Sequence, residues 1–245
     1  MAFSDWTAFG GNNVEGVPLA GTAFLNSGVA NPLTIGSTYC RRFTAWPPTQ
    51  TYGQTAVVGI SAAATYAGGA LVNVPDSKAI RVQGYLRLES ALNSAANHGA
   101  WIAAKIPSSS YNGYSFDNLY ALGIKITVSG VPELSLVQNG GVATSLGAAA
   151  LSQWYGLRLD VFPIGTAADR LIAYKETSPG SGTWTVLADV TVLSTSAGYV
   201  PWSQNRKNGL YFLGPVGTTG QLATATVAYA DLTTVAVGNA PVPVP

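Results

Sequence analysis

The chain has 245 residues, 47% of them apolar and only 9% charged, with a formal net charge of +1 at neutral pH. Its length and apolar content suffice for one large sandwich or two smaller domains, while its charged fraction lies far below the ~25% of an ordinary soluble domain. The twelve cations are scattered, with Arg41-Arg42 and Arg206-Lys207 as the adjacent pairs, so the basic stripe that a nucleic-acid partner requires is missing.

Met1–Trp6 has neither a basic n-region nor an apolar h-region, and no secretory leader is expected. Ser37–Phe43 alternates like a strand and carries Cys40. As the single cysteine it excludes an intrachain disulfide framework and reads as a buried, inert thiol. Residues 43–75 are uncharged, but they contain glycine, serine and threonine and almost no leucine or phenylalanine. A spanning helix needs about 20 strongly apolar residues, so a strand over Ala56–Ile60 followed by a small-residue loop or short helix is expected instead. Ile80, Val82, Leu86 and Leu88 alternate with Arg81, Gln83, Arg87 and Glu89, as an antiparallel strand with one buried face requires. Ser90–Ala96 allows a turn of helix, and Asn97-His98-Gly99 reads as a turn with a solvated histidine.

Strands follow at Trp101–Ile106, Tyr120–Val128 and Glu133–Gln138. Asn139-Gly140 suits a tight hairpin between Leu134–Val137 and Val142–Leu146, and Gly147–Leu151 allows another helical turn. Trp154–Phe162, Leu171–Lys175 and Gly182–Leu187 are short alternating runs separated by turn residues, read as adjacent antiparallel strands. Trp184–Val192, Leu210–Leu213 and Ala223–Ala230 complete the set. No linker divides residues 1–239, which are expected to form one all-β antiparallel sandwich. The Pro-rich Ala240–Pro245 lacks most amide donors and is expected to be an extended tail, mobile or docked on a neighbour.

Chemistry is sparse. A Ser-His-Asp or Cys-His site would have to use His98, and structural zinc wants four Cys or His ligands where the chain has two such residues. The four glutamates, Glu15, Glu89, Glu133 and Glu176, have no acidic neighbour within three positions. The Glu-x-Asp-x-x-Glu pattern of sandwich glycoside hydrolases is therefore absent. Asp160 and Glu176 could face each other across strands, or take surface positions beside Arg158 or Lys175. Asp117-Asn118 and Asp169 are possible calcium ligands, but neither lies in a dense acidic loop. No catalytic residue, metal or cofactor is expected.

Sugar binding needs exposed aromatic faces beside hydrogen-bonding side chains. Tyr111-Asn112-Gly113-Tyr114 has that makeup, and Tyr199–Arg206 has more of it. Tyr199, Trp202, Gln204, Asn205 and Arg206 are the candidate glycan or subunit contact. The alternative is that Tyr199 and Trp202 pack over the sandwich edge and fix the loop.

Trp154-Tyr155-x-Leu157-Arg158-Leu159, then Ala173-Tyr174, then Gly182-Thr183-Trp184 resembles the strand order of laminin-G and concanavalin-A-like jelly rolls. The resemblance covers about Lys78 to Val237. It implies that the closing run Val227–Val237 pairs near the N-terminus, at Asp5–Phe9. The Gly, Ala, Ser and Thr-rich, charge-poor character also resembles structural proteins of tailed bacteriophages. Such a surface has little repulsion to keep copies apart. Together these resemblances imply a non-enzymatic virion protein, made in the host cytoplasm, that decorates a capsid or builds a tail or collar. Its partners would be copies of itself and other virion proteins, with no nucleic acid and no membrane. The alternative is a tail-fibre module recognising host-surface glycan; a glycan-active enzyme and a membrane-anchored adhesin are further alternatives.

Overall fold

The computed structural model describes side chains at residues 79–89, 98–105, 119–139, 143–164, 167–200 and 208–211, and strand backbone alone at the other strand positions named below. The strands are β1 (Thr7–Ala8), β2 (Val17–Pro18), β3 (Ala23–Ala30), β4 (Tyr39–Ala45) and β5 (Thr55–Ser61). They continue with β6 (Ala79–Leu88), β7 (His98–Pro107), β8 (Tyr120–Ile126), β9 (Pro132–Val137) and β10 (Ala143–Ala148). The last five are β11 (Tyr155–Ile164), β12 (Ala168–Glu176), β13 (Trp184–Leu193), β14 (Arg206–Leu213) and β15 (Thr226–Gly238). Eight strands form a first sheet ordered β1-β5-β14-β7-β8-β9-β10, with β2 also on β5. Seven form a second, ordered β13-β12-β11-β6-β15-β4-β3.

Period-two patterning builds the core between these sheets. The first sheet turns Ala100, Ile102, Tyr120, Leu122, Ile124, Ile126, Leu134 and Leu136 inward, and the second turns Ile80, Val82, Leu86, Leu88, Leu157, Leu159, Val161, Leu171 and Ala173 against them. The face of the first sheet turned away from this core is also buried at Trp101, Ala103, Ala121, Ser135 and Tyr211. Trp101 lies 5.9 Å from the Tyr211 ring and donates its indole N–H to Ser135 Oγ at 3.3 Å. Gly123 makes room for it: a Cβ there would sit 2.2 Å from the Ala100 carbonyl oxygen and 2.6 Å from Trp101 Cα.

The expected strand at residues 80–88 is present with its predicted faces. β9 and β10 pair antiparallel from Val137 and Ala143 onward, so the expected hairpin is present; residues 140–142 of its connection lie outside the described residues. The expected helical turn at Gly147–Leu151 is instead the end of β10 and the turn after it, and Ser90–Ala96 lies outside the described residues. Cys40 falls in β4, where its backbone is in register with Val29; its side chain lies outside the described residues.

Two expectations are corrected. The closing strand pairs with β4 and β6 rather than with Asp5–Phe9, and β1 pairs with β5 in the other sheet. A 13-residue strand takes long partners along both edges, which a two-residue segment cannot supply. His98 is not a solvated turn residue. It opens β7 opposite Ile126 and is fully buried, on the same alternation as Ala100 and Ile102.

Candidate functional site

Two polar clusters stand out in a molecule with so few charges. The first lies inside the sandwich. Opposite β14, the register of β7 slips so that Ala104 and Lys105 share the place facing Asn208, a β-bulge. Lys105 takes a left-handed backbone (φ 59°) and gives its N–H to Asn208 Oδ1 at 3.1 Å. The bulge turns its side chain into the core. There Nζ meets Asp169 Oδ2 at 2.5 Å and the Val200 carbonyl at 3.0 Å, with Lys105 and Asp169 both fully buried. The Tyr120 hydroxyl donates to the same Asp169 oxygen at 2.7 Å and accepts from the Val200 N–H at 2.9 Å. The ammonium also sits 5.2 Å and 5.5 Å from the centroids of Tyr120 and Tyr199, within cation–π range. Burial, reinforced by the Asp169 charge, pushes the Tyr120 phenol well above its ordinary value. No polysaccharide reaches groups this deeply buried, so this cluster joins the sheets rather than holding a polymeric ligand.

The second cluster lies on the outer face of the second sheet. Adjacent β6, β11 and β12 align Arg81 with Asp160 and Ile172, and Gln83 with Arg158 and Tyr174. Alternation sends these side chains away from the core. Arg81 grips Asp160 with Nε and Nη2, both at 2.8 Å. Arg158 reaches the same carboxylate from along its own strand, its Nη2 at 2.6 Å. Asp160 is 1% exposed, whereas the Arg81 and Arg158 side chains are 34% and 15% exposed. The Arg158 guanidinium lies 4.5 Å from the Tyr174 ring centroid. Its hydrogen bond to Asp160 raises the Arg81 pKa further, and burial, followed by the Asp160 charge, raises that of Tyr174. Arg170 and Asp189 pair next to this group at 2.5 Å. On the same sheet, Ala79, Phe162, Ile172 and Tyr174 form a small apolar cluster with Trp184 against it.

Of the residues singled out from the sequence, only some are described. Tyr199 is half-buried, packs against the core and receives the Asn139 amide on its carbonyl at 3.1 Å. Trp202, Gln204 and Asn205 lie outside the described residues, as do Tyr111, Asn112, Gly113, Tyr114, Asp117 and Asn118; Arg206 is described as β14 backbone paired with Pro107. Asp169 is bound to Lys105 in the core, not placed in a loop for calcium. Glu176 does not face Asp160: it pairs with Trp184 and accepts the Gly180 and Gly182 N–H groups at 2.7 and 2.6 Å. Gly156 gives it space, because a Cβ there would lie 2.4 Å from Glu176 Oε2. Among the described residues no group of three or more His, Cys, Asp or Glu could hold a metal, and no helix is long and apolar enough to cross a membrane. Sequence reasoning missed the Arg81–Asp160–Arg158–Tyr174 group. Its one signal was that Arg81 and Arg158 each occupy an outward position of an alternating run.

No known protein family and no curated protein matches the chain in sequence. Solved structures do match its architecture. An endo-β-1,4-glucuronan lyase from Trichoderma reesei is 13% identical over 96% of this chain and 94% of its own, with a TM-score of 0.49. A protein of unknown function from Shewanella oneidensis MR-1 is 16% identical over 98% and 89%, with a TM-score of 0.48. An alginate lyase from Aplysia kurodai is 10% identical over 87% and 86%, with a TM-score of 0.44. The chain is an all-β jelly-roll sandwich. At these identities the likeness concerns fold alone.

The expectation of a non-enzymatic virion protein is corrected at this point. The neighbours include polysaccharide lyases, and no virion protein is among those named. A hydrolase-type carboxylate motif belongs to one reaction, and one fold hosts many, so its absence does not by itself exclude enzyme chemistry.

Proposed function

We propose that this chain is a carbohydrate-active domain that engages acidic polysaccharide through the arginine face of its second sheet. The observation that carries this reading is the convergence of Arg81 and Arg158 on one buried carboxylate, with Arg158 laid over Tyr174. Both forks use Nε and Nη2 toward Asp160, leaving Nη1 outside the pairing. A guanidinium fixed in this way is pre-organised for a carboxylate, which it binds through parallel N–H donors. The Tyr174 ring is already covered, so the surface offers charge rather than an open stacking platform. That favours uronate-containing polymers over neutral sugars. The strand order at Trp154–Leu159, Ala173–Tyr174 and Gly182–Trp184 supports, within this proposal, kinship with the laminin-G and concanavalin-A-like sandwiches.

The test is electrophoresis in native gels containing alginate, a glucuronan or a neutral glucan, with ultraviolet absorbance of released unsaturated sugar as the readout of lyase turnover. Retardation by the acidic polymers alone, weakened by salt, is expected. It should be lost in the variant combining Arg81→Gln, Asp160→Asn and Arg158→Gln, which removes the charges together and leaves no carboxylate stranded. Equal mobility of the wild type in all gels, with no turnover, would overturn the reading.

A further inference from the structure

We infer that Lys105 and Asp169 are placed to condense into an amide that covalently joins the two sheets. The two residues come from strands of opposite sheets, β7 and β12, and are 64 positions apart in sequence. Both side chains are fully buried, and Nζ stands 2.5 Å from Oδ2. An ion pair here forfeits the hydration of both charges. The amide removes both charges and keeps a polar N–H and C=O beside existing partners. Lys105 reaches this position through a left-handed backbone that residues with side chains rarely adopt, and such outliers cluster where function holds them.

The reaction balances without any further reagent. One proton crosses from the ammonium to the carboxylate, leaving a neutral amine and a neutral carboxylic acid. The amine lone pair attacks Asp169 Cγ, an N–C bond forms and a C–O bond breaks. The departing hydroxyl takes a second proton from nitrogen and leaves as water. Tyr120 touches the reacting group: its hydroxyl donates to Asp169 Oδ2 at 2.7 Å while anchored by the Val200 N–H at 2.9 Å. It therefore stabilises negative charge developing on that oxygen. Burial keeps this phenol protonated. The Val200 carbonyl holds Nζ from another side at 3.0 Å, so the nucleophile is restrained to the reacting partner, the condition under which intramolecular reactions gain most.

The experiment is intact-mass spectrometry of the purified full chain over days at neutral pH, followed by proteolysis and peptide mapping. The expected wild-type mass is lower than the sequence mass by one water, with a branched species joining the peptides that carry Lys105 and Asp169. Lys105→Met and Asp169→Ala should both restore the full mass, and Tyr120→Phe should slow the loss. A wild-type chain that is folded by circular dichroism yet keeps its full mass would overturn the inference without reliance on any variant. A water loss confined to one linear peptide, as a cyclised aspartate gives, would overturn it as well.

Discussion

Lys105–Asp169–Tyr120 and Arg158–Asp160–Tyr174 are assembled from the same three parts, a cation, an aspartate and a tyrosine, yet they do opposite work. Asp169 and Asp160 sit on neighbouring strands, one turned into the sandwich and the other away from it. Inside, the lysine and aspartate are sealed off together. Outside, the carboxylate is equally buried, but the Arg81 partner it shares remains 34% exposed. The inner aspartate ties sheet to sheet, whereas the outer one holds two guanidiniums toward solvent. Burial of the cation, rather than the identity of the residues, separates a fastening from a surface that can meet a ligand.

The sharpest way to break this contrast is to remove one inner partner. Measured against wild type still at its full mass, in which the pair has not condensed, Asp169→Ala leaves an uncompensated buried ammonium and should cost about 3–5 kcal/mol, read as a lower midpoint in urea unfolding. Adding Lys105→Met should recover much of that loss; a single variant costing under about 1 kcal/mol would show that the inner pair is not sealed. Next comes Asp160→Asn, which weakens charge-assisted hydrogen bonds to arginines that water can still reach. About 1.5–3 kcal/mol is expected, together with weaker retardation by acidic polymers because the forks lose their anchor.

Tyr120→Phe should cost about 1–3 kcal/mol by leaving the Val200 N–H without its acceptor. It also carries a pH signature. Burial and the Asp169 charge raise the folded phenol above its ordinary ~10, so its ionisation favours the unfolded chain. Its contribution is fully present below about pH 10 and is lost as pH rises beyond that value. Stability measured from pH 9 to 11 should fall more steeply in the wild type than in Tyr120→Phe. The smallest effect belongs to Arg170–Asp189, where Asp189 is 40% exposed. Its hydrogen bond from Arg170 lowers the Asp189 pKa. The benefit is therefore present above about pH 3.9 and lost as pH falls below it. Screening limits Asp189→Ala to under about 1 kcal/mol, and calorimetry in high salt should shrink that further.

Much of the fold was legible because alternation is a local property. Ile80, Val82, Leu86 and Leu88 show their buried side in the bare sequence, and Asn139-Gly140 falls between the two strands that pair, β9 and β10. His98 was misread because Asn-His-Gly is turn-like in composition, while its actual environment comes from Ile126 on another strand. Glu176 looked like a free carboxylate, but its charge is spent on the amides of the turn that follows it. Arg81 and Arg158 lie 77 positions apart and are brought side by side through the β6–β11 ladder, which no local pattern announces.

The sequence by itself determined the all-β class, most strand positions and the scarcity of charge, since each depends on residues within a few positions of one another. Tertiary structure alone decided which aspartate would be sealed and which shared. Strict alternation from Trp101 and Ala103 would send Lys105 to the outer side of its sheet; the bulge against Asn208 reverses it. A one-residue slip inverts every side chain beyond it, and such a slip depends on the partner strand, which a local pattern does not specify.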